Sequence, residues 1–432
     1  MAVFLIKMFT LTPILYDLFI NIYLVSLKIA SFFSVKAKKW VNGRRIFPIL
    51  NDTQKKIWVH CASLGEFEQG RPILEKLKQN YPDYPIVLTF FSPSGYEIRK
   101  NYSGADYVFY LPVDTKKNAI KFIQEVNPVL VVWVKYEYWF HYLNELKKQS
   151  IPVLLVSAIF RQSQPFFKSN NKFWKKILSY FDHIFIQDEA SQKLLNSIGI
   201  TQNVTISGDT RFDRVLEIAS KKSAIQEIEN FIENQQVLIA GSTWLQDEKL
   251  LAKYMLQHET KKLIVAPHEI NTAHLKNIKQ LFPRSIFYSE WINLKAKPNN
   301  IQVLIIDNVG MLSQLYQYAT ICYIGGGFNK SGIHNILEAA VYGKAIVFGP
   351  EYQKFGEAVG LTKRNSAFSI TNEHELELKL ENLFTDSILL KHAGGVAQQF
   401  VIEKSGATKI IVDYVEGKRL LTNASNSLTV SD

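Results

Sequence analysis

The chemistry this chain can offer concentrates in four residues, Ser63-Leu64-Gly65-Glu66. The run Trp58-Val59-His60-Cys61-Ala62 before them is β-branched and aromatic, and Ile73, Leu74 and Leu77 after them recur at helical spacing. That pattern predicts strand, tight corner, helix, with Glu66 where the helix begins. Open α/β sheets collect ligands beyond the carboxyl ends of their strands, so a carboxylate there is placed to act as a general base. The same residues also spell a Ser-x-x-Glu capping box, in which Glu66 bonds back to the Ser63 N–H and only starts a helix. A second acid, Glu137 in Tyr136-Glu137-Tyr138-Trp139, follows the apolar run Pro128–Val134 and belongs on the same sheet edge; taken alone it reads as a surface acid flanked by aromatics. Arg211 follows the run Asn203–Ser207, where a cation could steady a departing phosphate. Its plainer role is a salt bridge, worth at most about 1 kcal/mol if exposed.

The second half carries Ile324-Gly325-Gly326-Gly327-Phe328-Asn329-Lys330-Ser331-Gly332-Ile333-His334-Asn335-Ile336-Leu337-Glu338. A strand ending in three glycines lets backbone approach a ligand closely, and a helix opened at Ser331-Gly332 would offer N–H groups to a phosphate. Glu338, four residues after His334, is then expected on the same helix face, able to accept from ribose hydroxyls. The glycine spacing is wrong for a dinucleotide G-x-G-x-x-G. Three further loops follow apolar runs and are candidate walls of one pocket: Gly241-Ser242-Thr243-Trp244, Pro267-His268-Glu269, and Asp307-Asn308-Val309-Gly310-Met311.

The elements that must position these residues form a regular series. Short apolar runs alternate with helical patterns at Ile57–Ala62, Pro85–Phe91, Tyr107–Leu111, Pro128–Val134, Ile151–Ser157, His183–Gln187 and Asn203–Ser207. The series resumes at Gln236–Ala240, Lys262–Ala266, Ser285–Tyr288, Gln302–Ile306, Thr320–Ile324, Lys344–Phe348 and, weakly, Ala367–Ile370. Such runs are the signature of parallel strands covered on both faces. The fold class expected is α/β, with two doubly wound Rossmann-like domains facing across a cleft. The boundaries expected are a membrane anchor or interfacial helix over 1–45, a first domain over 46–213, a charged linker over 214–234 and a second domain over 235–432.

Length and composition agree. At 432 residues, 47% hydrophobic and 21% charged, the chain can build two cores and is not disordered. Two cysteines in apolar runs and nine histidines without ligand spacing leave no disulfide framework and no metal site to expect. The net charge of +11 lacks the basic, aromatic-interleaved blocks of a nucleic-acid binder. Its clearest cluster, Lys36 to Arg45, follows an apolar segment over residues 8–27 and points to an anionic membrane face. That segment only just reaches spanning length, so a span and a helix lying in the interface stand level; either leaves the body on the cytoplasmic side.

The motifs together resemble one family. Ser-x-Gly-Glu, Ser92-Pro93-Ser94-Gly95, Tyr136-Glu137-Tyr138-Trp139, Gly208-Asp209-Thr210-Arg211-Phe212-Asp213, Gly241-Ser242-Thr243, Asp307-x-x-Gly310-x-Leu312 and the glycine run through Glu338 to Phe348-Gly349-Pro350 occur in the order found in 3-deoxy-D-manno-octulosonic acid (Kdo) transferases. The resemblance implies an inverting glycosyltransferase of the GT-B type. Such enzymes move Kdo from CMP-Kdo to a lipid A precursor, lipid IVA, in lipopolysaccharide biosynthesis at the cytoplasmic face of the inner membrane. It implies Glu66 as general base, Glu137 and Arg211 as supports of the transition state, and CMP on Pro267, His268, Val309, Gly310, Met311, Asn335, Ile336, Leu337 and Glu338. No cofactor and no metal are expected, since the donor carries a single phosphate. The partners implied are CMP-Kdo, the lipid acceptor and an anionic inner-membrane surface, with no nucleic acid. The chain departs from the family at Pro267-His268-Glu269, shorter than the usual Pro-Arg-His-Pro-Glu, and at Met311, where an acid is usual. With a nucleotide site across the cleft, the Glu66 carboxylate is expected to face that cleft rather than Ser63. The alternatives are another lipid-linked nucleotide-sugar transferase and a non-catalytic membrane-bound nucleotide-sugar binding protein.

Overall fold

A computed structural model describes residues 13–50, 52–169, 172–221 and 223–422. Its strands fall into two seven-stranded sheets, parallel at every pairing described. The first holds β1 Lys56–Cys61, β2 Ile86–Phe90, β3 Tyr107–Tyr110, β4 Pro128–Val134, β5 Val153–Ala158, β6 His183–Ile186 and β7 Val204–Ile206, in the order β3-β2-β1-β4-β5-β6-β7. The second holds β8 Val237–Thr243, β9 Lys262–Pro267, β10 Ser285–Phe287, β11 Val303–Ile305, β12 Ile321–Ile324, β13 Ala345–Phe348 and β14 Ala367–Ser369, in the order β10-β11-β9-β8-β12-β13-β14. Each apolar run read from the sequence coincides with one of these strands. The reason is burial on both faces: every residue of β1, β2, β5, β6, β9, β11, β12 and β13 is buried, so the runs read as continuously apolar rather than alternating.

The chain divides into two compact units, Met1–Arg214 with Ser405–Asp432, and Val215–Lys404. This corrects the expected boundaries twice. The chain returns to the first unit at Ser405, and a helix over Ala407–Gly417 buries Ile411, Val412 and Val415 in the same core as Ile57, Val59 and Leu74 of that unit. Asp213 holds the start of this helix by accepting from the Gly406 and Thr408 N–H groups. The expected linker over 214–234 is no bare tether either: from Val215 it counts with the second unit, and its helix Gln226–Ile232 buries Ile228 and Phe231.

Among the described residues two helices precede β1, α1 over Pro13–Ala30 and α2 over Val35–Asn42. Residues 1–12, including the start of the apolar segment, lie outside the described residues, as do 423–432. With 18 residues and a mean hydropathy of 1.4, α1 is long and apolar enough to cross a bilayer. One of its faces is nonetheless committed to the first unit. Tyr16, Ile20 and Leu27 are buried, the Tyr16 hydroxyl donates to Asp114, and Asp17 pairs with His141 at 2.6 Å. Ile14, Leu18, Ile22, Val25 and Ile29 remain exposed. After β1, α3 over Leu64–Asn80 buries Ile73, Leu74 and Leu77 as their spacing requires.

Candidate active site

In the first sheet the strand order reverses between β1 and β4, and loops at such a reversal are where ligands of doubly wound sheets sit. Glu66 follows β1 and Glu137 follows β4, so the topology puts both acids at this point. Their charges meet at the buried Cys61 thiol, raised first by burial and then by Glu66 and Glu137. Glu66 is partly exposed in the first turn of α3, and its Oε2 accepts the Ser63 hydroxyl. The carboxylate is therefore turned onto Ser63, against expectation. Still, the capping box is not closed, because Ser63 caps no backbone N–H and its own N–H makes no bond to Glu66. Among the described residues Oε1 has no hydrogen-bond partner.

Glu137 is no surface acid. It is 8% exposed and ends a chain of donors that all point towards it. Trp58 Nε1–H donates to Thr89 Oγ1 at 2.8 Å, which leaves the Thr89 hydroxyl proton for His60 Nδ1, also at 2.8 Å. His60 Nε2 then lies 2.8 Å from Glu137 Oε2, and Trp139 Nε1–H donates to the same oxygen at 2.8 Å. With Trp and Thr as fixed donors, the tautomer that satisfies every partner carries its proton on Nε2. Trp133 Nε1–H adds a bond to the Glu137 carbonyl at 2.6 Å. A carboxylate held by two N–H groups on one oxygen keeps a fixed direction. His60 and Thr89 sit inside β1 and β2 as register partners, and reading the sequence for loop residues passed over them.

Arg211 begins a helix over Arg211–Ser220 and is clamped by Asp209: its Nε donates to Oδ2 at 2.9 Å and its backbone N–H to Oδ1 at 3.0 Å. Burial alone would raise the Asp209 carboxyl, but the Arg211 guanidinium and its hydrogen bonds hold it below the usual range. Gln69 of α3 reaches the same carboxylate at 3.1 Å, tying the loop after β7 to the helix that carries Glu66. The Tyr136 hydroxyl, raised by burial, feels the charges of Arg161, Glu66, Asp209 and Arg211 together. The three residues chosen from the sequence thus share one neighbourhood, with Asp209 as an orienting partner that was read only as part of a motif.

In the second sheet the order reverses between β8 and β12, and the loops after these strands lie backbone on backbone. A Cβ on Gly325 would stand 2.3 Å from the Ser242 carbonyl oxygen and 2.6 Å from Thr243 Cα, and one on Gly327 would stand 2.6 Å from the Gly349 nitrogen. These glycines let chain segments lie directly against one another. Gly325→Ala is expected to destabilise the protein by about 1–3 kcal/mol, as overpacking against rigid backbone does. A thermal melt checks this, with Gly356→Ala, where nothing lies within 4 Å, as the unaffected control. The fully buried Asp247 fastens the glycine loop by accepting from Gly326 N–H and Trp244 N–H, each at 2.9 Å, and from the Tyr323 hydroxyl at 2.8 Å.

The expected helix at Ser331-Gly332 is not formed. Gly326 and Gly332 take φ of +91° and +85°, the loop continues, and a four-residue helix begins only at Leu337. His334 therefore lies outside the helix that holds Glu338. What His334 joins instead is a stack of rings from three strand ends: Trp244 on His268 at 4.7 Å, and His268 on His334 at 4.3 Å. Trp244 Nε1–H donates to His334 Nε2 at 3.2 Å, so that nitrogen is an acceptor. Burial, then the neighbouring His268, lowers the His334 imidazole to about 4. Burial also lowers His268, against the pull of Glu269.

An unfolded chain protonates this histidine near its usual 6.5 while the folded one resists until about 4, so between these values the unfolded state binds more protons. Stability is thus full above pH 6.5 and falls as the pH drops towards 4, by on the order of 2–3 kcal/mol. His334→Gln is expected to flatten that part of the acid limb, read as the difference in Tm between pH 7 and pH 5.

The remaining residues expected to bind CMP are placed as follows. Pro267 ends β9 and His268 enters the ring stack. Val309 is 90% exposed, Gly310 stands at φ +103°, and the Met311 sulfur takes the Asn308 amide. This loop is joined to the sheet's reversal point by Leu312, which packs at Gly241. Asn335 Nδ2–H donates to Glu338 Oε1 at 2.9 Å, while Ile336 and Leu337 are fully buried and have only backbone to offer.

Residues 39–214 match the family described as 3-deoxy-D-manno-octulosonic-acid transferase (kdotransferase). Curated relatives of the same name match over most of the chain's length. It is 26% identical over 369 residues to the 3-deoxy-D-manno-octulosonic acid transferase of Rickettsia felis, covering 83% of this chain and 78% of that one. To the transferase of the same name from Aquifex aeolicus it is 28% identical over 353 residues, covering 79% and 90%. A bifunctional glycosyltransferase/methyltransferase of Fusobacterium nucleatum matches at 26% over 82% of this chain, which spans only 56% of that relative's length. The fold recurs in UDP-GlcNAc 2-epimerase from Neisseria meningitidis, with a TM-score of 0.59 at 15% identity over 84% of this chain and 100% of that one. It recurs too in a glycosyltransferase from Rickettsia africae, with a TM-score of 0.55 at 14% identity over 86% and 100%. This Kdo transferase relative is thus a glycosyltransferase with a GT-B-type fold.

Proposed function

We propose that this chain transfers Kdo from CMP-Kdo to a lipid A precursor, lipid IVA, with inversion, at the cytoplasmic face of the inner membrane. The observation that carries the reading is the pair of acids at the reversal point of the first sheet, in a chain of this family. Glu66 takes the proton of the acceptor hydroxyl as its oxygen bonds to the anomeric carbon of Kdo. The bond from that carbon to the CMP phosphate breaks, and the phosphate leaves with the electron pair. One carboxylate, with no second carboxylate as covalent partner, suits inversion. Glu137, held in a fixed direction, supplies negative charge near the cationic anomeric centre, and Arg211, aimed by Asp209, meets the leaving phosphate. CMP is assigned to the loops at Pro267-His268, Val309-Gly310-Met311 and Asn335 to Glu338. The membrane reading rests on α1, which keeps one face on the first unit and leaves an apolar row exposed, as a helix lying in the interface does.

The test is the mass of the product formed from CMP-Kdo and a tetraacylated lipid A precursor, which reads donor, acceptor and number of transfers at once. A uridine-nucleotide transferase would instead show UMP displacing bound nucleotide better than CMP.

A further inference from the structure

Between α1 and α2 lies a cavity of about 530 Å³, within the range of small-molecule sites. Its wall is apolar along Leu24, Phe32, Val41 and Val113, and three cations line it, Lys28, Arg44 and Arg45. Two groups there lack the partner their chemistry calls for. The first is Arg44. Its guanidinium lies over the rings of Trp40 at 3.9 Å, Tyr110 at 4.8 Å and Phe91 at 4.9 Å. It donates to the carbonyls of Leu111, Trp40 and Phe91 at 2.9, 3.3 and 2.7 Å. A guanidinium has five N–H donors, so two remain, and among the described residues no carboxylate forms an ion pair with it. Glu137 acts on it only through space, and burial lowers it to about 9, still charged at neutral pH. The second group is Trp40, 6% exposed, whose indole N–H has no acceptor among the described residues.

A part-buried cation with no ion-paired carboxylate among the described residues, and an unmet N–H donor beside it, both call for an anion. The apolar wall calls for hydrocarbon on the same molecule. Phe32 lines the cavity just past the end of α1, and it and its neighbour Phe33 are 85% and 88% exposed, an apolar rim beside the cations. We propose that the cavity between α1 and α2 binds one anionic glycerophospholipid, with its phosphate on Lys28, Arg44 and Arg45 and an acyl chain against Leu24, Phe32, Val41 and Val113. The site deepens the reading of α1 as a membrane helix: a single lipid held by built chemistry fixes the depth and rotation of the chain on the bilayer, which a greasy face alone does not.

The experiment is native mass spectrometry of the full chain in detergent micelles, titrated with dioleoyl-phosphatidylglycerol, dioleoyl-phosphatidylcholine or inorganic phosphate. The expected result is one phosphatidylglycerol per chain, weaker retention of phosphatidylcholine, and none of inorganic phosphate. Lys28→Glu with Arg45→Glu changes two exposed side chains and is expected to weaken phosphatidylglycerol roughly tenfold or more. Val41→Trp, which fills the cavity, is expected to abolish retention; should it misfold, the charge reversal decides alone. Equal retention of the two lipids, uptake without a plateau at one, or an unchanged affinity in the charge-reversed chain would overturn the site. Co-sedimentation with phosphatidylglycerol vesicles separates this from the membrane reading. Ile22→Ser with Val25→Ser should lower vesicle binding yet keep the single lipid in micelles. A wild-type chain that keeps its lipid but never pellets would sink the membrane reading and leave the site standing.

Discussion

Glu66→Gln is expected to lower turnover about a thousandfold, the mid-range of what a positioned general base supplies, while CMP binding and the melting temperature stay as in the wild type. The amide keeps the size and the hydrogen-bonding reach of the carboxylate, so the bond from Ser63 survives and only the ability to take a proton is removed. The split between lost turnover and intact nucleotide binding is the informative part, because the residues assigned to CMP all belong to the second unit. Ser63→Ala supplies the contrast. It frees the carboxylate from the Ser63 hydrogen bond and is expected to change turnover only a few-fold, on the scale of about 1 kcal/mol for such a bond. Full activity in Glu66→Gln would remove Glu66 as the base, and a non-catalytic binding protein would then become the better account.

At Glu137 two substitutions are expected to part ways. Glu137→Ala leaves the His60 and Trp139 N–H groups without an acceptor in a buried setting, at about 1–3 kcal/mol each. A fall in Tm of about 2–7 °C follows for a protein of this size. Glu137→Gln keeps an oxygen for those donors, so most of the stability returns, but the negative charge is gone and turnover is expected to fall about a hundredfold. Calorimetry and a transfer assay on the pair read the two effects separately. If Glu137→Gln melts and turns over like the wild type, the acid only fastens β1 to the loop after β4. Thr89→Val probes the far end of the chain: it removes the proton donor to His60 Nδ1 and the acceptor of Trp58 Nε1–H without touching the carboxylate, so a loss of turnover beyond the loss of stability travels through the imidazole.

The fold was legible because parallel strands buried on both faces write themselves as unbroken apolar runs, and even the weak run at Ala367 found its place as β14. Legibility ended where meaning depends on which strands become neighbours. His60 and Thr89 lie 29 residues apart and touch only because β1 and β2 pair in that register. A histidine and a threonine at matching depth in two otherwise apolar runs were the available signal. The glycine run misled for a related reason. Helix capping and chain-on-chain packing use the same residue, and only Ser242 against Gly325 shows which applied. The last helix was a third case, since an amphipathic pattern says that a face is buried and not in which core.

That last helix has a consequence for how the protein is made. Val412, Val415 and Leu421 belong to the same core as Ile57, Val59 and Cys61, so β1 leaves the ribosome long before the residues that complete its core. All of Val215–Lys404 is synthesised in between, which at about 5–20 residues per second takes roughly 10–40 s. The second unit, contiguous in sequence, can close on itself during that interval, and the first cannot be completed. Birth order and folding order are therefore inverted in this chain, and the apolar side of β1 and α3 is the surface a nascent-chain chaperone would have to shield.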